Sequence, residues 1–196
     1  MKRKLLFFLI ALLVVGALVF AIHISLQFAK TVGIQDIEQN ENYVYIYTSP
    51  DHHGYVFCLS YDKDNLLSLT IYKEAEVIKL KRYEQVLYTN SPSDFGSVFL
   101  ELNPSESDEQ PYSFVFFGCD ESGRICRADY VTSVGDNKTE LTKPVNNNGY
   151  YVLVISGFGA SSMGAHKLEE IKFTDSEGNV LYNEQIAVSD ETELLN

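Results

Sequence analysis

The chain has 196 residues and a formal net charge of −12, with 13 Tyr, 12 Phe and no Trp. Phosphate contacts dominate nucleic-acid affinity, so this acidic balance excludes a nucleic-acid-binding protein. The length fits one domain of ordinary size behind a short N-terminal segment, and the many aromatic residues favour β-structure.

Residues 1–28 combine a basic flank with an apolar segment. The cations Lys2 to Lys4 precede an uncharged run from Leu5 to Ile22. A bilayer core needs about 20 apolar residues in a helix, a length that this run reaches when it is extended to Leu26. Cations before the run place the N-terminus in the cytoplasm and the remaining chain outside. The segment therefore predicts a single-pass cell-membrane protein anchored by its N-terminal helix.

A cleavable signal peptide has a similar pattern and gives the alternative location, a secreted protein. The residues from Val19 to Ala21 form a passable cleavage site because they end in a small side chain. The apolar run is, however, longer than the ~7–15 residues typical of a signal peptide. The retained anchor is the preferred interpretation.

Three further regions follow the anchor. Residues 29–42 are polar and mixed, which predicts a stalk or linker. Residues 43–187 are predicted to form one extracytoplasmic β-domain, and residues 188–196 form an acidic tail.

Alternating apolar and polar residues predict short antiparallel strands throughout the domain. The predicted strands are Tyr43 to Tyr47, Tyr55 to Tyr61, Leu66 to Tyr72, Gly96 to Leu102, Tyr112 to Gly118, Ile125 to Val134, Tyr150 to Ser156, Ile171 to Phe173 and Val180 to Tyr182. Tyr112 to Gly118 is apolar on both faces and is the predicted core strand. So many strands at this spacing predict an all-β, antiparallel β-sandwich-like domain with an N-terminal transmembrane helix.

The stretch from residue 74 to 88 is ambiguous. Val77 and Ile78 suggest a strand, whereas Leu80, Tyr83 and Leu87 fall at helical spacing. The alternative fold class is therefore α+β, with one short helix around residues 74–88.

Two predicted hairpin turns begin at Asp120 and Asp175, each followed by Gly three residues later. Across the first turn, Cys119 and Cys126 would face each other at a distance that suits a disulfide. An exported location permits its oxidation. Two reduced thiols remain the equally weighted alternative.

The Gly- and Ser-rich segment after Ser156 is the most distinctive exposed loop of the predicted domain. Its candidate binding residues are Gly157, Phe158, Gly159, Ser161, Ser162 and His166. The segment from Ala160 to Gly164 superficially resembles the nucleophile elbow of α/β-hydrolases, but the strand–turn–helix setting and a following acid are missing. A flexible binding loop is the preferred interpretation, and no catalytic residue is assigned.

No metal site and no cofactor are predicted. Asp51, His52 and His53 lack zinc-type spacing. Turn capping already explains the two acidic pairs that could help bind Ca²⁺, Asp62 with Asp64 and Asp175 with Glu177.

Together these patterns predict a membrane-anchored domain that acts by binding, with an unidentified envelope protein as its candidate partner. An enzymatic role is less favoured. Two alternatives stay open: a secreted or anchored hydrolase using Ser161 or Ser162 with His166, and a sensor of small ligands or glycans.

Overall fold

A computed structural model describes residues 2–49, 54–77, 80–91, 95–102, 112–161 and 164–185. Within these ranges the helices are α1 (Lys2–Ala29) and α2 (Ile34–Glu38), and the strands are β1 (Thr31–Val32), β2 (Tyr43–Thr48), β3 (Tyr55–Tyr61), β4 (Leu67–Val77), β5 (Leu80–Ser91), β6 (Phe95–Glu101), β7 (Tyr112–Cys119), β8 (Arg127–Val134), β9 (Asn137–Pro144), β10 (Tyr150–Ser161), β11 (Gly164–Thr174) and β12 (Val180–Gln185). The fold is mostly β with two antiparallel sheets, as predicted. The predicted tail, residues 188–196, lies outside the described residues.

The first sheet has five strands in the order β1-β5-β4-β3-β2, in which β2 to β5 form a meander and β1 joins it beside β5. Its inner face contributes Phe57, Leu59, Leu69 and Ile71, all fully buried. On its outer face, Val56 and Cys58 belong to an apolar cluster that also includes side chains of α2. Both faces of β3 are therefore buried, although the alternation of its sequence predicted only one apolar face.

The second sheet follows the order β6-β7-β10-β11-β8-β9, with β12 paired to β11. A bulge between Ser156 and Phe158 interrupts the pairing of β10 with β7. Gly157 occupies that bulge with φ +98°. Phe158 still pairs with Tyr112 of β7, and from Gly159 to Ser161 β10 pairs with β11 instead. The bulge thus lets one long strand belong to both halves of the sheet.

The central strands β7 and β10 are buried on both faces. Phe116 and Leu153 on one face pack against Leu168 and Phe173 of β11. Val115 and Val154 on the opposite face belong to the core formed with the first sheet. The prediction that Tyr112 to Gly118 forms the core strand is correct, and its two apolar faces serve two separate cores.

The alternative helix at residues 74–88 is wrong, because β4 and β5 form a long antiparallel hairpin there. Residues 78 and 79 lie outside the described part. The helix-like spacing has a specific origin: the β4–β5 register shifts between Ile71 and Tyr72. As a result Leu87 packs in the inner core while Tyr83 packs on the outer face beside α2.

The predicted linker at residues 29–42 is also wrong, since most of it belongs to the folded domain. β1 pairs with β5 along the edge of the first sheet. In α2, Ile37 is only 2% exposed. A few apolar residues are enough to hold this polar segment against the β-domain, because each of them packs against a large apolar surface.

The helix α1 carries exposed apolar side chains, including Leu13, Val19 and Phe20. Side chains of residues 2–9, 11 and 27 lie outside the described part. Among the residues that are described, no helix has the combined length and apolarity needed to cross a membrane.

Candidate functional site

The predicted Gly- and Ser-rich loop is not a loop. β10 and β11 continue through it as a hairpin, in which Gly159 pairs with His166 and Ser161 pairs with Gly164. The residues between them, including Ser162, lie outside the described part. Glycine content suggested a flexible segment, but cross-strand pairing with β11 and the redirected path of β10 keep the backbone extended.

Two of the predicted binding residues have structural roles. Phe158 is 3% exposed, and its ring lies 5.2 Å from that of Phe114 in an edge-to-face contact. Gly157 supplies the positive φ of the bulge. Neither residue presents a side chain to a ligand, and the polar candidates that remain are Ser161 and His166.

His166 lies opposite Gly159 in the strand register, and Ser161 is two residues further along β10. The Nε2 atom of His166 is buried and has no hydrogen-bond partner. A Ser–His pair becomes nucleophilic when the imidazole contacts the hydroxyl and a third group orients the ring. The described contacts of His166 do not include that arrangement.

All three cysteines are free thiols in the structure. The predicted hairpin between Cys119 and Cys126 is wrong, because β7 pairs with β6 and β10 and not with β8. The Cys126 thiol instead lies 3.6 Å from the Thr174 carbonyl oxygen. The turn after Cys119 is tight as predicted, but the chain then crosses to the far half of the sheet.

Cys58 is fully buried beneath α2. Burial raises the pKa of its thiol to about 12. A thiol in this setting stays protonated and unreactive at neutral pH, which fits a packing role. The exposed thiol of the chain is Cys126.

The acidic turns are capping structures. Asp62 accepts the amides of Asp64 and Leu66, both at 2.9 Å. Asp175 likewise accepts the amides of Glu177 and Asn179 at 2.9 Å. Within the described ranges no cluster of three or more His, Cys, Asp or Glu side chains could hold a metal ion.

A polar cleft of about 280 Å³ is lined by strands β5, β6 and β12, and no pattern in the sequence predicts it. Phe117 of β7 also lines the cleft; the polar lining is Asn90, Ser91, Ser97, Tyr182 and Glu184. The Phe95 and Tyr182 rings stack 3.8 Å apart and hold β6 against β12. We refer to this feature as the Glu184 cleft.

The carboxylate of Glu184 distinguishes this cleft. Its Oε2 atom is buried without a hydrogen-bond partner. Burial raises the pKa of the Glu184 carboxyl above its usual value. A buried carboxylate oxygen without a donor is costly, so it can bind a ligand group that supplies one. Little in the sequence indicates this cleft. Tyr182 and Glu184 share one face of β12, whereas Asn90 and Ser97 come from distant segments.

No known family model, curated protein or solved structure matches this chain.

Proposed function

We propose that this protein is a single-pass membrane protein that holds its N-terminus in the cytoplasm, displays a β-domain outside the cell membrane and acts by binding. An envelope protein is the proposed partner. The observation that carries the anchor is the uncharged run from Leu5 to Ile22 after three cations. Such a run is stable in lipid as a helix, and the charge asymmetry sets its orientation.

The part of α1 with described side chains supports the same proposal. Val15, Leu18 and Phe20 are each more than half exposed, as are residues on other faces of the helix such as Leu13. A helix that is apolar on all sides is suited to lipid or to a fully buried environment. The β-domain does not bury these side chains.

An exposed edge strand supports binding to another protein. Among the strands that the structure describes, β9 pairs only with β8 and lies at the end of its sheet. Seven of its eight residues are exposed. The free backbone groups of such an edge can pair with an extended segment of a partner, a common mode of peptide recognition.

Thiol labelling in intact cells tests the location. In cells that express the full chain, a membrane-impermeant maleimide should label the exposed Cys126. The variant Cys126→Ser should lose that labelling and serves as the control. Labelling of Cys126 only after cell lysis would contradict a domain outside the membrane.

A substrate screen tests binding against catalysis. The full chain should show no turnover of generic ester and peptide substrates. Turnover that disappears in the double variant Ser161→Ala, Ser162→Ala would favour the hydrolase alternative.

The Glu184 cleft favours a second candidate function, a sensor of small polar ligands such as monosaccharides. Ring hydroxyls would donate to the Glu184 carboxylate and exchange hydrogen bonds with the neighbouring amide and hydroxyl side chains. A ligand that binds only the folded state raises the melting temperature.

A panel of glucose, galactose, mannose and N-acetylglucosamine should therefore raise the melting temperature of the full chain. The variant Glu184→Gln keeps the shape of the side chain and should abolish the shift. It should not destabilise the unliganded protein, because burial already disfavours the charged form. No shift with any sugar would count against this second function.

A further inference from the structure

The connection between helix α1 and the β-domain is short. Only Lys30 separates α1 from β1, which pairs with β5. The Thr31 hydroxyl donates to the Phe28 carbonyl oxygen at 3.3 Å. The Arg82 guanidinium of β5 lies 6.0 Å from the centre of the Phe28 ring. These contacts fix the C-terminal end of α1 against β5.

The strand register alone does not give the direction of α1, because β1 runs antiparallel to β5, with Thr31 beside Glu84. The side chains between α1 and the hairpin give it instead. Ala29 and Lys30, where α1 ends, lie against the segment from Val86 to Tyr88. His23 and Leu26, earlier in α1, lie against Ala75 and Glu76, so α1 followed back towards its N-terminus approaches Leu80.

A groove of about 370 Å³ continues this path. Helix residues His23, Leu26 and Lys30 line one side, and the hairpin residues Ala75, Glu76 and Glu84 line the other. Ala75 pairs with Arg82, so the groove includes the hairpin beyond the level of Phe28.

The groove also gives the level of Leu80 on the helix. His23 lines the groove together with Glu76, and Glu76 pairs with Lys81 in the β4–β5 register. Leu80 is the next residue of β5, about 3.4 Å further along the strand. Leu80 therefore lies near His23, where the apolar run from Leu5 to Ile22 has just ended.

We propose that Leu80 and Lys81, at the start of β5, lie in the interface of the bilayer that α1 spans, with Leu80 in contact with lipid. This inference rests on the proposed membrane anchor. Leu80 is 53% exposed, and the side chain of its neighbour Lys81 is 85% exposed. An aliphatic side chain beside a long cationic one suits the boundary between hydrocarbon and water.

The charged side chains around the groove do not favour anionic lipid over zwitterionic lipid. The cations are Lys30, Lys81 and Arg82, and the carboxylates around the groove are Glu74, Glu76 and Glu84. Lys81 pairs with Glu74 at 2.9 Å. Because the two signs balance, zwitterionic phosphatidylcholine should be a sufficient partner for the hairpin.

Because the chain has no Trp, a single introduced Trp is the sole source of Trp fluorescence, and its emission reports its own surroundings. The full-length variant Leu80→Trp is reconstituted in phosphatidylcholine vesicles that contain brominated acyl chains. Leu141→Trp on β9 is the matched control, since Leu141 is also an exposed leucine, 43% exposed, on a strand of the other sheet. Lys81→Trp provides a second probe at the hairpin end, in case the first variant lowers the melting temperature.

We expect Trp emission from the hairpin variants to shift to shorter wavelength and to be quenched severalfold more strongly than emission from the Leu141→Trp control. Equal quenching of all three, in protein that floats with the vesicles, would overturn the hairpin inference alone. Protein that fails to float with vesicles would overturn the anchor and this inference with it.

Discussion

At the scale of single residues, the carboxylate of Asp120 stabilises the turn that follows β7. It accepts the Ile125 amide at 2.8 Å and the Asn147 side-chain amide at 2.9 Å. The Gly123 amide donates to the Asp120 carbonyl oxygen at 2.8 Å, and Gly123 has φ +62°. The contacts with Ile125 and Gly123 join residues that are close in sequence, whereas the bond to Asn147 depends on the tertiary fold.

Asp120→Asn should reduce stability at neutral pH, and the difference from the natural chain should shrink in acid. Partial burial raises the pKa of Asp120, but hydrogen bonds from Ile125, Ser122 and Asn147 outweigh it, so the pKa is lowered. A lowered folded-state pKa gives stability that is present above the unfolded value of about 3.9 and is lost as pH falls through the folded value.

Melting temperatures measured from pH 7 down to pH 3 check this expectation. Asp136→Asn in the exposed β8–β9 turn is the control and should follow the natural chain. A constant difference between Asp120→Asn and the natural chain at all pH values would contradict the account of the Asp120 turn.

Gly96→Ala should destabilise the protein. A Cβ atom at Gly96 would overlap the ring of Phe117, which is 1% exposed and cannot move freely. Overpacking of this kind costs about 1–3 kcal/mol in the free energy of unfolding. Urea unfolding measures the loss, with the exposed neighbour Ser97→Ala as the control. Equal stability of the two variants would show that the β6–β7 contact is looser than described.

At the scale of elements, two errors in the sequence interpretation share one physical cause. Glycines at 157 and 159 suggested a loop, and the polar strand β9, Asn137–Pro144, gave no strand signal. Both segments are held in the sheet by their neighbours, since β9 pairs with β8 along its whole length. Local composition does not report such pairing, and tertiary context overrides it.

Gly157→Ala should destabilise the redirected strand β10. The residue has φ +98°, a conformation that residues with a Cβ atom rarely adopt. The expected loss is about 1–2 kcal/mol of unfolding free energy. Gly123→Ala is the comparison, because Gly123 has φ +62° in an exposed turn with nothing near its Cβ position. A larger loss at Gly123 than at Gly157 would contradict a structural role for the bulge.

At the scale of the whole molecule, β7 and β10 connect the two hydrophobic cores. One core joins them to the first sheet, and the other joins them to β8 and β11. The sequence indicated this central position through the apolar faces of Tyr112 to Gly118. It did not indicate the Glu184 cleft, because that site needs the approach of edges from β6 and β12.

Because the cores share two strands, the domain should unfold as one unit. Leu69→Ala opens a cavity in the core with the first sheet, and Leu168→Ala opens one in the other core; both leucines are fully buried. Each change should cost about 2–5 kcal/mol and lower a single melting temperature, followed by near-ultraviolet circular dichroism. Two separate transitions in either variant would show that the cores are independent.

At this scale we propose that the β-domain is held at the membrane by a retained N-terminal helix. The N-terminal sequence of the protein in an alkali-washed membrane fraction tests this claim most directly. We expect a chain that keeps the run from Leu5 to Ile22 and resists extraction. A mature chain that begins at Ile22, after the sequence from Val19 to Ala21, and is recovered in the medium would contradict the claim.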